Sequence, residues 1–159
     1  LKTSKKVWGS DFIKLAQQKK YLIKKPTLTQ FEAYVNFILS GKNADGNPTE
    51  VKLSLKPFKG NKLSKWLWVE LKNSKGKPGW LYGESDFVVF ELESSYLFVV
   101  RKNLLEYIHS SIDFHLPLVQ NAWEAKYKIF QRPGKLDQIT QIKLQSIKNL
   151  KGNYSWEKL

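Results

Sequence analysis

Cysteine and methionine are both absent from this 159-residue chain, and histidine occurs only as His109 and His115. Without cysteine there is no disulfide framework and no thiolate metal site. Two histidines exclude a Cys/His zinc centre and argue against a His-based catalytic triad. Acids are scarce too, 14 against 27 basic residues, for a formal net charge of +13. Arginine is scarcer still: only Arg101 and Arg132 interrupt the lysines. Arginine is the usual bidentate reader of guanine, so a lysine surface predicts contact with a nucleic-acid backbone more than with base edges. No apolar run approaches the roughly 18 residues a membrane helix needs, and no signal-peptide core is visible. A cytoplasmic protein with no membrane partner is therefore expected.

What is present suits a folded domain: 42% apolar residues and 14% aromatics. One domain over residues 1–148 and a polar tail over 149–159 are expected. The first 25 residues hold eight lysines against Asp11 alone. Ser10 and Asp11 cap an expected helix bearing Phe12, Ile13, Leu15 and Ala16, finished by Lys25-Pro26. A second helix is expected from a capping box at Thr29–Glu32, with Leu28, Phe31, Val35, Ile38 and Leu39 at helical spacing and Gly41 as its stop. Residues 43–48 form a turn cluster. Strands are predicted at 49–56 and 65–72, joined as a hairpin with Gly60-Asn61 at its tip. Further strands fall at 86–92 and 95–101, then a helix near 102–110. A strand or helix at 122–131, a Pro133-Gly134 turn and a strand at 137–144 follow. The order of elements predicts an α+β domain with a largely antiparallel or mixed sheet.

Two acid-x-Lys triplets stand out, Glu50-Val51-Lys52 and Glu70-Leu71-Lys72. Side chains alternate faces along a strand, so Glu50, Lys52 and Ser54 share one face, as do Glu70 and Lys72. In the expected hairpin Glu50 lies opposite Lys72, and Lys52 opposite Glu70. This geometry admits two readings. One is a pair of cross-strand ion pairs, each contributing roughly 0.2–1 kcal/mol. The other is catalytic. Phosphodiester cleavage needs carboxylates to hold Mg²⁺ or Mn²⁺, here Glu50 and Glu70. It also needs a lysine at the attacking water or the phosphate, here Lys72, with Lys52 as its neighbour. Trp66 and Trp68 share the face of Glu70 and Lys72, which predicts partial cover for that face. Lys75, Lys77, Trp80 and Tyr82 interleave cations with rings, a pattern that can hold phosphates and stack bases. Lys5 and Lys6 add positive charge near the start of the chain. Lys126, Lys128 and Arg132 form a second basic patch, read as a solvated face. Asp86 reads either as a further ligand or as the cap of its strand.

Glu50-Val51-Lys52, the run Trp66 to Asn73, Gly76 to Gly83, Ser85-Asp86-Phe87 and Tyr96 to Leu105 resemble small phage- and virus-encoded nucleases of the PD-(D/E)xK superfamily. The likeness covers roughly residues 45–108 and extends to the tail strand near Asp137. It implies a restriction-endonuclease-like mixed sheet flanked by helices, with N-terminal helices before the hairpin. It also implies a metal-dependent endonuclease with little sequence specificity, acting on DNA rather than RNA in a prokaryotic cell or infected host, and a homodimer. Glu32 is the helix glutamate that sometimes joins such a site; otherwise it is the capping-box acid. That family usually carries an aspartate on the strand before its triplet, where this chain has Glu50, or else Asp45 in the turn ahead of a Glu50-x-Lys52 triplet. A non-catalytic nucleic-acid-binding module on the same fold is the alternative, and an adaptor for an acidic protein is a third.

Overall fold

The computed structural model describes residues 8–57 and 65–159. Helix α1 (Ser10–Gln18) is capped not by Ser10 or Asp11 but by Gly9 in a left-handed conformation, and it ends at Gln18 instead of running to Lys25-Pro26, which leaves Leu22–Lys24 as strand β1. Tyr34 then decides the next departure from the sequence reading. Its φ of 68° breaks the helical path just beyond α2 (Leu28–Glu32). The capping box sits two residues earlier than expected. Gln30 N donates to the Thr27 hydroxyl, and Thr27 N donates to Gln30 Oε1. Ile38 and Leu39 therefore belong not to a helix but to strand β2 (Phe37–Lys42).

Residues 43–47 reverse the chain. Asn43 Oδ1 accepts from the N–H groups of Asp45 and Asn47, and Gly46 supplies a φ of 79°. Strand β3 (Pro48–Lys56) returns antiparallel to β2, with Ser40 opposite Glu50 and Ile38 opposite Lys52. β3 then pairs in parallel with β5 (Phe87–Glu91), Ser54 beside Val88 and Lys56 beside Phe90. β6 (Ser95–Val100) and β8 (Tyr154–Glu157) complete a six-stranded mixed sheet of order β1-β2-β3-β5-β6-β8.

The expected hairpin of residues 49–56 and 65–72 does not pair. Strand β4 (Trp66–Lys72) joins β7 (Gln138–Lys143) in a separate two-stranded antiparallel ribbon. A parallel β3–β5 step needs a long crossover, and β4 lies within it. Val69 and Leu71 of β4 pack with Val88, Phe90, Leu97 and Val99, so β4 covers the main sheet instead of extending it. The proposed tip, Gly60-Asn61, lies outside the described residues.

Two cores result. On the ribbon side, α3 (Arg101–Ser111) and α4 (Leu144–Lys148) contribute Leu104, Ile108 and Ile147. On the other face, α1 buries Phe12, Leu15 and Ala16 against Leu53, Leu55, Val89 and Phe98. The class is α+β, a curled mixed sheet with four α-helices among the described residues. The segment 149–159 is not a loose polar tail. β8 closes one side of the sheet and buries Trp156 against Phe12, at 5.6 Å between ring centres, and Phe98, at 4.7 Å. In place of a regular element at 122–131 there is a single 3-10 turn, Ala122–Glu124. Isolated bridges then tie Lys126 to Gln141 and Phe130 to Ile139.

Candidate functional site

Placing β3 and β4 in different sheets separates the two triplets. Glu50 meets Lys24, two strands away, with Nζ 3.0 Å from Oε2. Both side chains are about half exposed, 48% and 56%, so this is a solvent-screened ion pair. Lys52 uses its backbone. Its N–H donates to Asp86 Oδ2 at 2.8 Å, and its carbonyl accepts from Asp86 N at 2.8 Å. Asp86 thereby clamps the start of the parallel β3–β5 pairing, which is the strand-capping role. Its carbonyl also accepts from Arg101 N. The Arg101 guanidinium, buried in turn, donates to the carbonyls of Ser85 and Leu81. Burial lowers the Arg101 pKa, against the opposing pull of Asp86 and Glu84.

Glu70 sits elsewhere, half-buried on β4. Trp80 N donates to its Oε1 at 3.3 Å. Burial pushes the Glu70 carboxyl above the usual range. The Trp80 N–H and Lys56 pull it down, and Asp137 pushes it up. Strand β3 thus turns toward Glu70 not with Glu50 but with Lys56, whose Nζ lies 4.7 Å from the centre of the Trp80 ring. Ser54, next on that face, is fully buried, and its Oγ has no hydrogen-bond partner among the described residues. Glu50 is six residues from Lys56, about 20 Å of extended strand. Asp137, just before β7, pairs through Oδ2 with Arg132 Nη2 at 2.7 Å, while its Oδ1 is buried without a hydrogen bond. Nothing in sequence spacing announces the approach of Lys56 and Asp137 to Glu70, because β4 reaches Asp137 by pairing with β7 and reaches Lys56 by packing across the main sheet.

The tryptophans beside Glu70 differ: Trp66 is partly buried, while Trp68 is left 38% exposed. Trp66 meets Tyr127 edge-on at 5.9 Å and carries Lys126 over its ring, while Trp68 tilts against Phe130 at 6.1 Å. Both pack on the 125–131 segment, and Trp68 keeps part of its ring at the surface. Trp80 is buried against Phe90, so it offers no free face for stacking. Tyr82 does stand at the surface, with its hydroxyl 2.8 Å from His109 Nε2.

The Lys75–Lys77 loop is a built turn. Asn73 Oδ1 accepts from the N–H groups of Lys75 and Lys77, and Gly76 holds φ 76°. Tyr34 anchors the turn from below, donating to the Pro78 carbonyl and accepting from Asn73 Nδ2. Gly79 is required where the turn rejoins β4: a Cβ there would lie 2.6 Å from the Glu70 carbonyl oxygen. Glu32 is exposed at the last position of α2 and has no described bond to Glu50 or Glu70. Lys5 and Lys6 lie outside the described residues.

A hard divalent cation takes six or more oxygen ligands, with protein carboxylates supplying several of them. Glu50 and Glu70 as arranged do not fit that demand, because they stand on different sheets and Glu50 is paired with Lys24 instead of a second carboxylate. Among the described residues no group of three acidic or histidine side chains converges. No helix of the described chain is long and apolar enough to cross a membrane. The chain matches no family model, no curated protein and no solved structure.

Proposed function

We propose that this protein binds a nucleic-acid backbone, DNA by the family resemblance, without cleaving it. One observation carries the non-catalytic half of that reading. The two acid-x-Lys triplets stand on different sheets, and each acid faces a lysine from another strand, Lys24 at Glu50 and Lys56 near Glu70. The net charge of +13 supports an anionic partner. Lys72, Lys75 and Lys77 add a local cationic turn held in one shape by Asn73. A turn of lysines fits phosphates without selecting a sequence.

Strand cleavage is the second reading, and Asp137 favours it. Its charge reaches Glu70, and one of its carboxylate oxygens is buried and unpaired. A single experiment separates the two. Supercoiled plasmid is incubated with the protein and Mg²⁺ or Mn²⁺, and both nicking and gel retardation are recorded for the wild type, Glu50→Ala and Glu70→Ala. Retardation with no nicking in all three is expected. Metal-dependent nicking that Glu70→Ala abolishes would install the cleavage reading instead. Absence of salt-sensitive retardation would sink both and leave an acidic protein as the partner.

A further inference from the structure

We infer that this protein prefers unpaired bases, so that it binds single-stranded nucleic acid more tightly than an intact duplex. The inference rests on the nucleic-acid reading above and specifies the form of the ligand. Its basis is a cleft of about 330 Å³ beside the lysine turn, lined by Leu71, Pro78, Tyr82 and Phe114, with Lys72 in its wall. That volume lies at the small end of ligand-sized clefts, roughly 300–1,000 Å³. Tyr82 and Phe114 are large rings left 39% and 41% exposed.

These two rings are held in place. His109, in the last turn of α3, meets Tyr82 edge-on at 5.7 Å and Phe114 at 5.1 Å. The Tyr82–His109 hydrogen bond fixes the first contact further. Rigid, exposed aromatic surface in a concave site is costly to leave wet, and its neighbours name the occupant. Lys72 lines the cleft, while Lys75 and Lys77 stand on the turn whose Gly76 and Pro78 also line it. None of the described ion pairs uses these three lysines. A ligand matching this surface is flat and apolar on its faces and anionic along one side. A nucleotide in a single strand has that chemistry. In a duplex the base faces are already stacked, and presenting one here would require unpairing it.

The test is fluorescence anisotropy on the full chain with three probes: a thymidine oligomer of about 20 nucleotides, an abasic oligomer of equal length, and a duplex of the same length. Variants are Phe114→Ala, Tyr82→Ala and Tyr82→Phe, each checked by circular dichroism. The thymidine strand should bind more tightly than either other probe. Each alanine variant should weaken it about 5- to 150-fold, the range for losing one base–aromatic stack, and leave abasic binding unchanged. Tyr82→Phe keeps the ring and should bind like the wild type. Equal binding of thymidine and abasic strands, unmoved by the variants, overturns the stacking cleft while the backbone reading stands. Equal loss on both strands overturns it too, since the rings would then act other than by stacking. No binding of any probe removes both readings. A concentration-dependent dimer in sedimentation that Phe114→Ala abolishes would assign the cleft to a second copy of the chain.

Discussion

Replacing Lys72, Lys75 and Lys77 with alanine removes three cations from one turn without touching its scaffold. The turn is shaped by Asn73 Oδ1, Gly76 and the Tyr34–Pro78 bond, none of which uses a lysine side chain. All three lysines are exposed, so the change in folding stability should stay within about 0.5 kcal/mol per site. Binding is where the loss should appear. Each phosphate neutralised on a single strand adds about 0.7 to the slope of log affinity against log salt, so three should add about 2. Over a fourfold rise in salt, from about 50 to 200 mM, the wild type should therefore lose roughly 20-fold more affinity than the triple variant. The assay is anisotropy with a thymidine oligomer across a KCl series, plotted on logarithmic axes. Parallel lines for the two proteins would refute the assignment of these lysines to the phosphates. Attention would then pass to the basic group at Lys126 and Lys128.

Two other expectations concern stability. Trp156→Ala removes a ring packed on Phe12, Tyr21 and Phe98, and should cost about 3–5 kcal/mol. For a chain of this size that lowers Tm by about 6–20 °C in a circular dichroism melt, whereas a drop under about 1 kcal/mol would return residues 149–159 to the status of a loose tail. Glu70→Gln tests the burial of a carboxyl whose native pKa is raised, mainly by desolvation. The native state then holds its proton longer than the unfolded chain. Wild-type stability should fall as pH rises from the unfolded value, about 4.3, through the raised native one. The glutamine variant lacks that loss, so its urea midpoint should gain on the wild type as pH rises above about 4.3; a constant difference would contradict the assignment.

Local chemistry made much of the fold readable. Strands β5 and β6, helix α3 and strand β7 stand within a residue or two of their expected limits. β5 and β6 are apolar runs parted by Glu93-Ser94, and α3 carries Leu104, Leu105 and Ile108 at helical spacing. The failures share one cause. Phe31, Val35, Ile38 and Leu39 do recur at helical spacing, but Tyr34 enters a left-handed conformation between them. The signal for a strand was the turn that follows, with Asp45-Gly46 between apolar segments, a hairpin cue. Taking Gly41 as a helix stop ahead of that turn hides β2, and without β2 the strand β3 lacks its true neighbour. β4 was then assigned to β3 by proximity in sequence. The long-range pairing with β7 leaves no trace in local periodicity. The site shares the same error: the expected hairpin joins Glu50 to Glu70 and does not pair, while Lys56, at the far end of the Glu50 strand, and Asp137, just before β7, are the charges that reach Glu70. Asp86 and Tyr82 were singled out by their neighbours in sequence, and the structure gives each a definite bond.

Strand β8 has a consequence for how the chain reaches its native state. Phe12 stacks on Trp156 across nearly the whole sequence, and β8 pairs with β6 over a gap of more than fifty residues. Contacts so distant raise the contact order and slow folding, since the loop between them must close before any burial is gained. On the ribosome the α1 face of the sheet would wait, with Phe12, Tyr96 and Phe98 only partly covered, until Tyr154–Glu157 emerged. A product ending before that strand would expose an unpaired β6 edge beside bare aromatic surface, the combination that drives edge-to-edge aggregation.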